Sequence, residues 1–387
     1  MRISSKLPHV GTTIFTVMSS LAQELGAINL AQGFPDFDPP QRLKDLVAHH
    51  IATGRNQYAH MAGVWELRVA IADKLQGSYG RAVDPEQEIT IALGATEAIF
   101  SAIAGLVHPG DEVIMLDPSY DSYAPAVILA GGRPIRVPMR LDTSVEPASF
   151  SIDWQRVRDA VTPRLRLVII NTPHNPTGSI VQPSELDVLA DILEATDALV
   201  LADEVYEHMV FDGATHASIL ANDRLFERGI AVFSFGKSMH ATGWRVGYAV
   251  APAEITREIR RVHQFNTFSI AAPLQYAIAD FLCEAPGHNA GLASFYERKR
   301  NLFLAQLEGS RFAWTPSAGT YFQLLDFRRI SAASDAEFVD RLVREVGVAA
   351  IPLSPFYENA PQLPVVRFCF AKNDATLERA AERLCRM

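Results

Sequence analysis

Lys237 stands in the stretch AVFSFGKSMHATGWRVGYAV, residues 231–250, directly after an apolar run that reads as a buried strand. Gly236, Lys237 and Ser238 match the end of a nucleotide-binding P-loop, in which glycines let backbone N–H groups wrap phosphates and the lysine reaches them. That motif needs a glycine five residues before Gly236, and the chain has Ala231 there. The triplet alone does not make a nucleotide site, and an ordinary surface lysine is the competing reading. Other groups capable of chemistry follow short apolar runs in the same way: Gly94–Thr96, Asp117–Tyr120, Asn171–Gly178, Asp203–Tyr206 and Ser234–Lys237. In a parallel α/β fold ligands bind at the C-terminal ends of strands, so this recurrence sets these residues apart from random surface without naming a ligand.

The elements that must position them alternate from residue 89 onward. ITIALG, DEVIMLDPSY, RLVIINTPHNPTG, DALVLADEVYE and IAVFSFGKS read as strands separated by helical segments, the pattern of a largely parallel sheet covered on both faces. Helical spacing also marks 12–25, 41–52 and 63–76. Between the last two lies the polar loop GRNQYAHMAG, and Gly33–Pro40 forms a glycine- and proline-rich loop. The tail has a different texture: a long helix over 288–308, GTYFQLLDF, a helix over 335–346, VAAIPLS, VVRFCFA and a last helix over 374–385. We expect a large domain over 45–285 and a smaller α/β domain formed by 1–44 with 286–387.

The 387 residues suffice for two such units. A net charge of −9 argues against broad nucleic-acid binding, which needs a concentrated basic face, but not against a small anion in a local basic pocket. Cys283, Cys369 and Cys385 are widely spaced, which suggests a reducing compartment and gives no support to a thiolate metal site. No apolar run reads as a signal peptide or membrane span. The eleven histidines show no HExxH spacing, and His49 and His50 are expected on a helix surface.

NTPHNPTG, DEVY and SFGKSMHATGWRVG, in this order, resemble the pyridoxal-phosphate-dependent class I aminotransferases of the aspartate aminotransferase fold. The resemblance runs from NLAQGFPDF to VVRFCFA, and within the class the chain is most similar to methionine aminotransferases and kynurenine aminotransferases (glutamine transaminase K). It implies fold type I, with a mostly parallel seven-stranded sheet between helices. It makes Lys237 the lysine that links to the cofactor aldehyde, and pairs Asp203 with the protonated pyridine nitrogen. Asn175 and Tyr206 would contact the 3′ oxygen, and Tyr120 would stack on the ring. The phosphate would rest on the N–H groups of Ala95 and Thr96 after Gly94, with hydroxyls from Thr96 and Ser234 and charge from Arg245. Arg367 would grip the substrate α-carboxylate through two parallel hydrogen bonds. Tyr58 would reach the phosphate of a neighbouring subunit, which implies a homodimer with shared active sites.

On this resemblance Lys237, Asp203 and Tyr206 form the catalytic set, with an amino acid and a 2-oxo acid as ping-pong substrates. Gly33, Phe34, Asn175, Arg367 and Phe268 are the expected substrate contacts, and Ile14–Phe15 lies in a region expected to line the same pocket. No second cation for a side-chain carboxylate matches, so methionine or an aromatic or apolar amino acid is expected over aspartate. The expected setting is cytoplasmic, with no metal, membrane or nucleic-acid partner. A cysteine-conjugate or cystathionine β-lyase with the same lysine and cofactor is an alternative, and a regulatory or interaction protein on the same scaffold is a non-enzymatic one.

Overall fold

The alternating apolar runs form seven strands: β1 (Ile89–Ala92), β2 (Glu112–Asp117), β3 (Arg133–Pro138), β4 (Leu165–Asn171), β5 (Leu199–Asp203), β6 (Gly229–Ser234) and β7 (Gly247–Val250). The computed structural model describes residues 3–387, and in it these strands make one sheet in the order β1-β7-β6-β5-β4-β2-β3. Neighbours are parallel except for β7, which runs antiparallel to both β1 and β6. The strand period of two divides the side chains between two covered faces. Ile114, Val168, Val200 and Ala231 pack on one side with Leu67 and Ile278, from the helices Trp65–Tyr79 and Ala272–Glu284. Met115, Ile169, Leu201 and Val232 pack on the other with Ile99, Ile103 and Ile259, from Gly94–Leu106 and Ala253–Asn266.

Register brings the chemistry to one level. Asn171 lies opposite Asp203, and Gly247 opposite both Ser234 and Ala92. The ends of β1, β4, β5 and β6 therefore open onto the same edge.

A second core gathers around the helix Gly287–Gln306 and an antiparallel sheet of β8 (Phe322–Asp326), β9 (Ile351–Pro352) and β10 (Val365–Cys369), with β10 central. Leu377, Ala381 and Leu384 of the last helix, Asp374–Leu384, are buried in it. The N-terminal helix Ile14–Glu24 adds Met18 and Ala22, and Ile28–Asn29 pairs in parallel with Val348–Ala349. We propose that the two cores mark the units 45–285 and 1–44 with 286–387, of which Met1 and Arg2 lie outside the described residues. The border interlocks, since Leu43 packs in the first core and Tyr206, Met209 and Phe211 in the second.

Local expectations shift in three places. The helix over 335–346 is α-helical for Asp335–Arg341 and closes through a π-helical turn, Leu342–Val346. VAAIPLS divides between two sheets, with Val348–Ala349 in one and Ile351–Pro352 in the other. His50 is buried and lies 2.7 Å from an Asp280 carboxylate oxygen, while its neighbour His49 is exposed. One helical step separates a residue facing the core from one facing water, and the pair HH does not show which is which. Among the described residues no helix is long and apolar enough to cross a membrane, and no group of three metal-ligating side chains comes together.

Candidate active site

β5 carries the apolar run LVLA into the sheet and delivers Asp203 at its end, where the carboxylate is buried. Tyr123 donates a 2.5 Å hydrogen bond to Asp203 Oδ2. Burial outweighs that bond and raises the carboxyl pKa to about 6. One strand away, Asn171 Nδ2 donates to the Asp203 carbonyl at 2.8 Å, and Asn171 Oδ1 accepts from the backbone N–H of Asn175 at 2.7 Å. Asparagine at 171 thus ties the β4 end to both β5 and the loop that carries Asn175.

Lys237 follows β6 in a short helical turn, Phe235–Ser238. Part of its side chain remains open to the cavity, but it lies deep in the fold, and burial lowers its pKa to about 8. Its Nζ donates to Tyr321 Oη at 2.9 Å and to the Gly33 carbonyl at 3.4 Å.

Arg367 projects from the central strand β10 and is fully buried. Nη1 donates to Asn175 Oδ1 at 2.5 Å and Nη2 to the Ala31 carbonyl at 2.8 Å, while Nε has no partner. The guanidinium lies over the Phe322 ring at 3.8 Å. Burial lowers its pKa to about 10. A planar cation buried without a carboxylate partner is suited to a ligand anion.

The helix Gly94–Leu106 begins at the same edge; the Leu93 side chain cannot cap it, and the nearby Glu97 carboxylate accepts from the Leu93 N–H at 3.1 Å and not from the helix N–H groups that follow. Its first N–H groups are available to an anion. Gly94 has φ +73°, and a Cβ there would stand 2.7 Å from Arg245 Nη2. Gly247 permits an equally close approach from beneath, since a Cβ on it would lie 2.9 Å from the Ala95 nitrogen. Arg245 itself adopts φ +55°, with Nη1 bonded to the Thr242 carbonyl at 3.1 Å.

One cavity of about 220 Å³ gathers these groups. Of the residues expected from sequence it is lined by Phe15, Gly33, Ala95, Thr96, Tyr120, Asn171, Asn175, Asp203, Tyr206, Ser234, Lys237, Arg245 and Arg367. Gly94 stands behind Ala95, against Arg245. Phe34, Tyr58 and Phe268 do not line it. Phe34 lies under the Lys372 ammonium, and Tyr58 meets Phe268 edge to face at 5.3 Å on the surface, where Tyr58 is 85% exposed.

Sequence reasoning did not single out Gln32, Ile99 and Phe322 on the wall, or Tyr123 and Tyr321 behind it. Tyr123 begins the helix Tyr123–Leu129 and meets the Tyr120 ring edge to face at 5.6 Å, a contact that no spacing within one element encodes. Tyr321 had no local signal beyond its place at the head of β8.

The family model for class I and II aminotransferases matches residues 26–384. Methionine aminotransferase of Escherichia coli strain K12 is 50% identical over 380 residues, covering 98% of this chain and 97% of that protein. An E. coli crystal structure reported to identify a methionine aminotransferase function superposes with a TM-score of 0.96 at 49% identity, covering both chains in full. The structure of N-succinyldiaminopimelate aminotransferase from Mycobacterium tuberculosis gives 0.95 at 41% identity, again over both full chains.

The lowered pKa of Lys237 has a direct consequence. In ligand-free protein its reaction with trinitrobenzenesulfonate, followed by peptide mapping, should reach half its limiting rate near pH 8, where half of the amine is neutral. A midpoint near the ordinary lysine value of about 10.4 would show that burial does not act on this amine.

Proposed function

The chain belongs to the class I and II aminotransferases, and from that premise we propose that it moves the α-amino group of methionine or of an aromatic or apolar amino acid to a 2-oxo acid, with pyridoxal phosphate held at Lys237. Enzymes of this family depend on pyridoxal phosphate. The observation that carries the reading is the meeting of Lys237, Asp203 and Arg367 in one cavity, each shifted by burial toward its neutral form.

The residues fit that cofactor. Asp203 has a neutral hydrogen-bond donor but no cation bonded to it, which suits a protonated pyridine nitrogen. The uncapped helix start at Gly94, the Thr96 and Ser234 side chains and Arg245 suit a phosphate, and Tyr120 a ring face. Asn175 and Tyr206 complete the wall. When bound, the cofactor supplies an electron sink for negative charge developing at the substrate α-carbon.

The chain's own residues then do the following. Arg367 holds the α-carboxylate, whose oxygens accept from N–H groups at the edge of a guanidinium kept flat by the Phe322 ring. Asp203 stays ionised opposite a cation. Lys237 Nζ, with a pKa near working pH, takes the proton from the substrate α-carbon and later returns one. Phe15, Phe322 and Tyr120 shield the reacting atoms from water.

A homodimer with shared sites is also proposed. Its support is the exposed pair of Tyr58 and Phe268, with Phe265 also 88% exposed and Tyr58 outside its own chain's cavity. Cytoplasmic residence is proposed from the three unpaired cysteines.

Two measurements test these readings. Mixing a Tyr58→Phe chain with a Lys237→Ala chain should restore activity above either alone, because a mixed dimer holds one site with both native residues. A fully active monomer in sedimentation would remove the shared site.

Specificity is the second. Among the described residues Lys237, Arg245 and Arg367 are the lysines and arginines lining the cavity. Burial pushes the Asp121 carboxyl up against the pull of Arg367, so a further carboxyl stands near that guanidinium. A second substrate carboxylate would remain unpaired at a cost of several kcal/mol, whereas each buried methylene contributes about 0.8 kcal/mol. Since tenfold needs only about 1.4 kcal/mol, kcat/KM for methionine and phenylalanine should exceed that for aspartate by more than about tenfold. Equal values would refute the apolar pocket.

A further inference from the structure

Tyr321 touches the amine of Lys237 from outside the cavity wall. Its hydroxyl donates to the Gly33 carbonyl at 2.5 Å, and its ring is fully buried. A phenol has one hydrogen, which Gly33 takes, so toward Lys237 the oxygen acts as acceptor at 2.9 Å. The Gly33 carbonyl offers the lysine a second acceptor at 3.4 Å. Two N–H bonds of Lys237 are thereby directed at this pair.

The ring is held from several sides. It meets Tyr206 at 5.1 Å, Tyr296 at 5.7 Å and Phe322 at 4.9 Å between ring centres. Its carbonyl accepts from the Phe370 N–H at 3.0 Å. The preceding residue, Thr320, has φ +67°, a conformation costly for a β-branched side chain. Thr320 is fixed there by bonds from its N–H to the Met209 carbonyl and from the Phe322 N–H to its Oγ1. Strain kept under such constraint marks a ring whose position the fold over-determines.

We propose that Tyr321 is a positioning residue for Lys237: with the Gly33 carbonyl it holds two N–H bonds of the lysine nitrogen and leaves the remaining position directed into the cavity. This rests on the reading that Lys237 is the reacting amine. Because Tyr321 belongs to the second core and Gly33 to the N-terminal segment, the same hydroxyl fastens that segment over the lysine.

Tyr321→Phe keeps the ring and removes the acceptor. An N–H bond to a neutral oxygen stabilises an ammonium more than an amine. The pH midpoint of Lys237 modification in the ligand-free variant should therefore fall, by about half a unit or more. With methionine, kcat should drop about tenfold while KM changes less than about twofold, as expected for loss of one hydrogen bond to a reacting group. Tyr296→Phe removes a buried hydroxyl bonded to His240 rather than to Lys237, and should move neither quantity. Tyr321→Met, similar in burial and lacking the hydroxyl, serves the same comparison if Tyr321→Phe does not accumulate.

Borohydride trapping with peptide mapping separates the two readings. Wild-type protein labelled at another lysine would remove the premise itself. Label on Lys237, with midpoint and kcat unchanged in the folded Tyr321 variant or equally changed in Tyr296→Phe, would overturn the role of Tyr321.

Discussion

Asp203, Lys237 and Arg367 are charged groups that the fold withdraws from water, and each moves toward its neutral form as a result. For Asp203 the rise from an ordinary value of about 4 to about 6 corresponds to roughly 3 kcal/mol at neutral pH. The sign is unfavourable: a raised carboxyl pKa leaves its contribution to stability intact below about pH 4 and removes it as pH rises through about 6. Tyr123, Asn175 and the Ala31 carbonyl soften the burial of Asp203 and Arg367 without neutralising either. A ligand with a cation for Asp203 and anions for Arg367 and the Gly94 helix start would relieve all of these costs at once.

The architecture serves that requirement. Strand register sets Asn171, Asp203 and Ser234 at one edge, and the reversed β7 returns with Gly247, whose missing side chain leaves space for the helix beginning at Gly94. The sheet alone supplies no substrate anchor. Arg367 comes from β10, held by the N-terminal segment through Ala31 and by the stacked ring of Phe322. The site is thus a seam between two cores, which gives a physical reason for the short N-terminal segment to interlock with the C-terminal sheet.

Much of this was legible in the sequence because it depends on local order. Each short apolar run ended in its functional group, and period-two burial placed those ends together. Contacts between distant segments were not legible. Tyr321 and Gly33 are 288 residues apart, and no local spacing encodes their hydrogen bond. Phe34 follows Gly33, but the chain bends there and carries its ring under the Lys372 ammonium, away from the cavity. Tyr58 and Phe268 lie outside the cavity and pair with each other at the surface, and no local spacing tells what a second subunit would place against them.

If buried Asp203 is the counter-charge of the bound cofactor, the half-reaction of an Asp203→Ala variant must lose that charge. With the variant saturated by pyridoxal phosphate and mixed with methionine in a single turnover, amino transfer should slow by at least about a hundredfold, since several kcal/mol of charge stabilisation is lost while the fold is retained. A half-reaction at the wild-type rate in a folded, cofactor-saturated variant would contradict that role.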